Sequence, residues 1–169
     1  MLEADMYPLF ELWLEHHSDM FMQEPLIPHN ACFDFIAFKD GLLTVYELKL
    51  RNAKKVIQQA NTSLLWCDHS YAVLPEEKIH LGMKYKHLML DNVGLISMRW
   101  QPWERAHVTV VIEPKSKKSH MTLPRLRQYM IEWMVKDWIY RHRCYVDTQR
   151  SESRARLINR ENHLMRKGK

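Results

Sequence analysis

Two apolar runs, Phe33–Phe38 and Leu42–Leu50, flank the tripeptide Lys39-Asp40-Gly41. Asp-Gly is a strong hairpin signal, because glycine reaches positive φ without steric cost. The two runs are therefore expected to pair as antiparallel strands. Side chains alternate between the faces of a strand. Glu47 and Lys49 then share one face with Leu43 and Val45, while Tyr46, Leu48 and Leu50 point the other way into a helix-covered core. Asp34 lies near the start of the first strand and Glu47 near the end of the second, so a short turn brings both acids and Lys49 to one end of the sheet. Charged groups held in a sheet cost free energy unless they are paired or bind a metal. These three residues are accordingly the first candidates for function.

The segment that follows supports the same focus. Within KKVIQQANTSLL, Val56, Ala60 and Leu64 recur at helical spacing, which predicts a helix near residues 53–66 with Gln59 bordering its apolar face and Gln58 as the alternative polar neighbour. A further apolar strand is expected near residues 70–74. Two carboxylates within bonding distance of one point are hard oxygen ligands and suit Mg²⁺. The backbone carbonyl of Leu48, between the two charged side chains, is a further candidate ligand. A lysine ammonium beside such an ion can hold a water and neutralise charge developing on a phosphate.

At these positions the chain resembles the PD-(D/E)xK, or restriction-endonuclease-like, nuclease superfamily. Phe33-Asp34 corresponds to the P-D element and Glu47-Leu48-Lys49 to the (D/E)-x-K element. Phe33 stands where that pattern has proline, a change that leaves the chemistry untouched. The resemblance covers roughly residues 1–98. It implies an α/β (α+β) fold with an αβββαβ core, in which a mixed sheet is flanked by helices. It also implies Asp34, Glu47, Lys49 and Gln59 as catalytic residues, and Asp34, Glu47, the Leu48 carbonyl and a first-helix glutamate as metal ligands. Glu3 is the candidate for that glutamate, with Glu11 second. The tyrosine spacing of the exonuclease-like branch is missing after the glutamine, which favours an endonuclease.

Composition limits the alternatives. A chain of 169 residues is long enough for one substantial core. Four glycines and no low-complexity tract argue against long linkers. No apolar run reaches the length of a membrane span, and the acidic Glu3 and Asp5 do not read as a secretory signal. Cys32, Cys67 and Cys144 lack the spacing of a zinc site or a disulfide framework, so a reducing cytoplasm is expected. The ten histidines are scattered and read as surface or core residues rather than ligands.

The net charge of +5 comes from the C-terminal end, where the stretch from Arg141 to Lys169 holds nine Lys/Arg against three Asp/Glu. Such a segment favours phosphate contacts through counterion release. Residues 76–90 read as a helix with loop, and Asn92–Met98 as a strand. Trp100 and Trp103, beside Arg99 and Arg105, sit in an expected loop from which they either stack on bases or pack under the loop. His107–Glu113 is a β-branched strand. A helix is expected from Leu123-Pro124, with Leu126, Tyr129/Met130, Trp133/Met134 and Trp138 forming an apolar stripe that buries against the sheet or a second subunit. A separate final basic helix, from Thr148 to Arg166, carries Arg154, Arg156 and Arg160.

The expected organisation is a nuclease core over residues 1–98, a strand and amphipathic helix over 99–147 that complete the domain or form a dimer surface, and a basic C-terminal helix or tail over 148–169. The expected activity is that of a Mg²⁺-dependent endodeoxyribonuclease, with Mn²⁺ as a substitute. DNA would be held by Lys54, Lys55, Arg154, Arg156 and Arg160, without a membrane and with a homodimer permitted. The alternatives are a catalytically inactive nucleic-acid-binding protein on the same fold, or a four-way-junction resolvase.

Overall fold

The computed structural model describes residues 3–25, 32–100, 107–115 and 121–167, with side chains described on the final helix only in part. A 3-10 turn (Glu3–Met6) leads into α1 (Tyr7–His17), followed by β1 (Met20–Gln23), β2 (Phe35–Lys39), β3 (Leu42–Leu48) and α2 (Ala53–Ser63). Then come β4 (His69–Pro75), α3 (Ile79–Lys84) between two short 3-10 turns, β5 (Val93–Arg99), β6 (His107–Ile112) and α4 (Pro124–Lys167). The fold is mixed α/β, with a six-stranded sheet in the order β1-β2-β3-β4-β5-β6 flanked by helices, and it fits an α+β nuclease-like core.

The hairpin forms as the sequence predicts. Asp40 and Gly41 have φ of 50° and 79°, the conformation that a two-residue turn requires, and Lys39 pairs with Leu42. Strands β1, β2 and β3 pair antiparallel, β3, β4 and β5 parallel, and β5 and β6 antiparallel. The central parallel strands are buried on both faces, which explains the apolar run Tyr71–Pro75 of β4 and the mainly apolar β5, interrupted by Ser97.

One face of the sheet packs on α1. Met6, Phe10 and Leu14 join Phe35, Ala37, Tyr46, Leu48, Val73 and Ile96 in a single buried cluster. The other face, with Leu43, Val45 and Glu47, is covered by α2 through Ala53, Val56, Ile57, Ala60 and Ser63. Asn52 starts α2 at φ 49°, and its side chain accepts the Lys55 N–H. Gly94 admits the Tyr71 ring, since a Cβ there would lie 2.2 Å from Tyr71 Cε1.

The C-terminal region departs from expectation. Instead of two helices with a break before Thr148, α4 runs unbroken from Pro124 to Lys167. No glycine or proline occurs between Arg125 and Lys167 to interrupt it. The chain divides into two compact units, Met1–Ile131 and Glu132–Lys169. In the first, the start of α4 contributes the buried Met130. In the second, Trp138 of the expected apolar stripe is 49% exposed, along with Ile139 and Tyr140. That helix carries local contacts of its own: Arg141 pairs with Asp137 at 2.6 Å, and Trp138 stacks on His142. Among the described residues no helix is long and apolar enough to cross a membrane.

Candidate active site

The carboxyl end of β3 carries Glu47-Leu48-Lys49, and Lys49 N–H continues the ladder by donating to the Val73 carbonyl at 3.1 Å. Ligand sites of open α/β sheets lie at this edge, beyond the carboxyl ends of parallel strands. Asp34 precedes β2 by one residue. Since Phe35 pairs with Tyr46, Asp34 lies opposite Glu47, as the hairpin argument requires.

Each charged group has a defined partner. Asp34 accepts the Tyr7 hydroxyl on Oδ1 and the Leu48 N–H on Oδ2, both at 2.6 Å. Glu47 is 2% exposed and accepts the Ser63 hydroxyl on Oε1 at 2.8 Å. Lys49 is ion-paired with Glu3. This ties the N-terminal turn to the end of β3 and accounts for the position of Glu3. Its carboxylate holds the lysine ammonium through Oε1.

The electrostatics follow from this packing. Burial raises the Glu47 carboxyl to about 7; the Ser63 hydrogen bond and Lys49 oppose the shift, and the neighbouring Asp34 charge adds to it. Burial alone would lower the Lys49 ammonium, but the hydrogen bond to Glu3 and the charges of Asp34, Glu3 and Glu47 outweigh it and raise its pKa. Burial and the Asp34 hydrogen bond push the Tyr7 phenol up. Burial and the acids Asp34, Glu24 and Glu47 also raise the exposed Cys32 thiol, against the opposing effect of Lys49, which disfavours a thiolate nucleophile there.

A cavity of about 390 Å³ adjoins the site. Glu47 and Ser63 line it, together with Lys55, Gln58, Gln59 and Thr62 of α2 and the rings of Phe33 and Trp66. Gln59 therefore reaches the space beside Glu47, and its Oε1 is buried with no hydrogen-bond donor. Gln58, the alternative, is exposed and lines the same cavity. Glu11, the second first-helix acid, lies on α1 and is half-buried.

The donor set bears on metal binding. Asp34 and Glu47 supply hard carboxylate oxygens, and each oxygen retains lone-pair capacity beyond the hydrogen bonds it accepts. Together with the Leu48 carbonyl they fit a divalent cation chemically. A cation there would also offset the burial cost and the Asp34 repulsion that raise the Glu47 pKa. Among the described residues no group of three or more His, Cys, Asp or Glu side chains is arranged to hold a metal ion.

The expected nucleic-acid contacts are only partly in view. Lys54 and Lys55 are exposed on the first turn of α2, and Lys55 reaches the cavity. Arg154, Arg156 and Arg160 lie on α4, with side chains outside those described. Trp100 is 39% exposed, while Trp103 and most of the basic loop after Lys115 fall outside the described residues.

Two site residues were not anticipated. Ser63 had a usable signal: it lies four residues after Gln59 on the same helix, amid apolar positions. Tyr7, 27 residues from Asp34, had none.

No protein-family model matches the chain, and no curated protein matches it. Among solved structures it is similar to SfsA of Pyrococcus furiosus in complex with Ca²⁺, at 10% identity and a TM-score of 0.32, over 62% of this chain. The chain spans 58% of that protein's length.

Proposed function

We propose that this chain is a metal-dependent phosphodiesterase of the PD-(D/E)xK kind, a deoxyribonuclease that cuts within DNA. One observation carries the reading: the buried Glu47 sits opposite Asp34 at the carboxyl end of β3, with Lys49 two residues on and beside the same acids. Two acids and a lysine at one sheet edge carry a desolvation cost, and such clusters mark candidate functional sites.

In this reading Asp34, Glu47 and the Leu48 carbonyl hold Mg²⁺, or Mn²⁺ in its place. When bound, the ion supplies Lewis-acid polarisation of the phosphate and lowers the pKa of water. Lys49 donates to the attacking water and offsets the negative charge that builds on the phosphate oxygens. Glu3 restrains the ammonium so that it faces the acids. Tyr7 and the Leu48 N–H fix the Asp34 carboxylate, and Ser63 fixes that of Glu47. The Gln59 amide donates to phosphate through Nε2. Lys54, Lys55, Arg154, Arg156 and Arg160 hold the backbone by charge. The setting is cytoplasmic, and a homodimer would present two sites to the two strands of a duplex.

The test is plasmid cleavage by the purified protein in Mg²⁺, in Mn²⁺ and in EDTA, with Lys49→Ala alongside. Metal-dependent nicking or linearisation that disappears in the variant supports the assignment. Equal cleavage by variant and parent would remove Lys49 from the chemistry.

A second reading is a nucleic-acid-binding protein that keeps the fold without activity, favoured by the ion pair in which Glu3 engages the Lys49 ammonium. It predicts no Mn²⁺ binding heat dependent on Asp34 and Glu47, and no cleavage of plasmid, linear, single-stranded or branched DNA.

A further inference from the structure

We propose that the cavity beside Glu47 is a base-binding subsite that takes one unpaired nucleotide next to the cleaved phosphate. The proposal rests on the nuclease reading for its position relative to the chemistry, and on the cavity itself for its ligand. At about 390 Å³ the cavity is within the range of small-molecule sites, roughly 300–1,000 Å³.

Its walls differ in kind. Lys55, Gln58, Gln59 and Thr62 come from α2 at spacings of three, four and seven residues, so they form one polar helix face. Phe33 and Trp66 supply the aromatic wall, two buried rings whose centroids lie 6.2 Å apart at an interplanar angle of 70°. A cation, two amides, a hydroxyl and two aromatic rings match the parts of a nucleotide. Lys55 suits the phosphate, the amides suit the hydrogen-bonding edge of a base, and the rings suit its π-face.

Gln59 decides between a phosphate subsite and a base subsite. Gln59 lines the cavity, and its Oε1 is buried with no hydrogen-bond donor in the fold, so a turn of the side chain toward the cavity lets a ligand N–H complete it. A phosphodiester offers only acceptors and cannot complete it. Every nucleobase carries an N–H on its pairing edge, and that edge is free only when the base is unpaired. The substrate class that follows is DNA with an unpaired base at the cut: single-stranded, mismatched or branched, rather than intact duplex.

The experiment measures binding of dAMP and of 2-deoxyribose 5-phosphate by calorimetry in EDTA, so that it does not depend on cleavage. The expected result is a Kd for dAMP roughly tenfold lower than for the base-free compound, the size of one stacked and hydrogen-bonded base. Gln59→Leu and Thr62→Trp, each checked for folding by circular dichroism, should bring the two constants within about threefold of each other. The second variant acts by filling the cavity from an exposed position, so one informative variant remains if the other does not fold. Equal constants in the parent, or a ratio unchanged in the folded variants, would overturn the subsite. Plasmid and single-strand cleavage by the same preparation is scored separately. Base-dependent binding without any cleavage keeps the subsite and sinks the nuclease reading; cleavage of duplex with no base dependence does the reverse.

Discussion

The Ser63 hydroxyl donates to Oε1 of Glu47 at 2.8 Å across the α2–β3 packing face, so a helix that covers the sheet also fixes the orientation of a buried acid on β3. The bond favours the ionised carboxylate and opposes the rise that burial imposes. Ser63→Ala should therefore raise the Glu47 pKa further and weaken divalent-ion binding near neutral pH by about 10–100-fold, the usual penalty for losing an outer partner of a ligand. Mn²⁺ titration calorimetry of the two proteins at pH 7 checks this. Unchanged affinity would mean that Glu47 does not bind the ion.

The Glu47 shift also makes stability depend on pH. Its carboxyl titrates near 4.5 when unfolded and at about 7 in the fold. Below the lower value both states are protonated. Between the two values the folded protein retains a proton that the unfolded chain releases, so stability falls as pH rises through this window, and the loss is complete above the folded pKa. The upper bound on the loss is on the order of 3 kcal/mol. In EDTA, Glu47→Gln should flatten the slope and melt above the parent at pH 8. Mn²⁺ should raise the melting temperature of the parent at pH 8 and leave the variant unmoved. Urea or thermal unfolding at a series of pH values, with and without the ion, reads all three effects.

Lys49 and Glu3 form an ion pair whose members have unequal roles. Lys49 also feels Asp34 and Glu47, whereas Glu3 is on the more exposed side of the pair. Lys49→Ala should lower single-turnover cleavage by at least about a hundredfold, the scale of losing one charge-stabilising donor. Glu3→Gln should lower it by less than about tenfold, since a half-exposed pair contributes on the order of 1 kcal/mol. Both variants should unfold within a few degrees of the parent. A greater loss from Glu3→Gln than from Lys49→Ala would return Glu3 to the role of metal ligand.

Legibility in the sequence tracked the range of the interactions. The hairpin was readable because its signals are local: Asp40-Gly41, two apolar runs, and an alternation that placed Glu47 and Lys49 on one face. Strands β4 and β5 were readable from their mainly apolar character, and α2 from the recurrence of Val56, Ala60 and Leu64, all three fully or almost fully buried. Partners fixed by tertiary packing were not readable. Tyr7 reaches Asp34 from 27 residues away, and Glu3 reaches Lys49 from 46, with no periodicity to mark either. The expected break before Thr148 in the last helix followed a shift in charge composition. Charge does not interrupt a helix, and the backbone breakers that would do so are missing from that segment.

The same limit applies to the pair most exposed to a stability test. Asp68 is 1% exposed, accepts Arg127 Nε on both carboxylate oxygens at 3.0 and 2.8 Å, and also accepts the Leu43 N–H at 2.9 Å. Arg127 donates in addition to the Gly41 carbonyl at 2.6 Å, so the first part of α4 is fastened to the hairpin turn that sets the register of β2 and β3. Arg127→Met removes the countercharge and leaves a buried carboxylate without it, a change that costs about 3–5 kcal/mol. Asp68→Asn in the same background removes the stranded charge, and asparagine can still accept the Leu43 N–H. The double variant should therefore recover part of the loss. Urea unfolding of the parent, both single variants and the double variant closes the cycle. Additive losses would show that the pair is not coupled, and that Arg127 holds α4 through the Gly41 carbonyl rather than through Asp68.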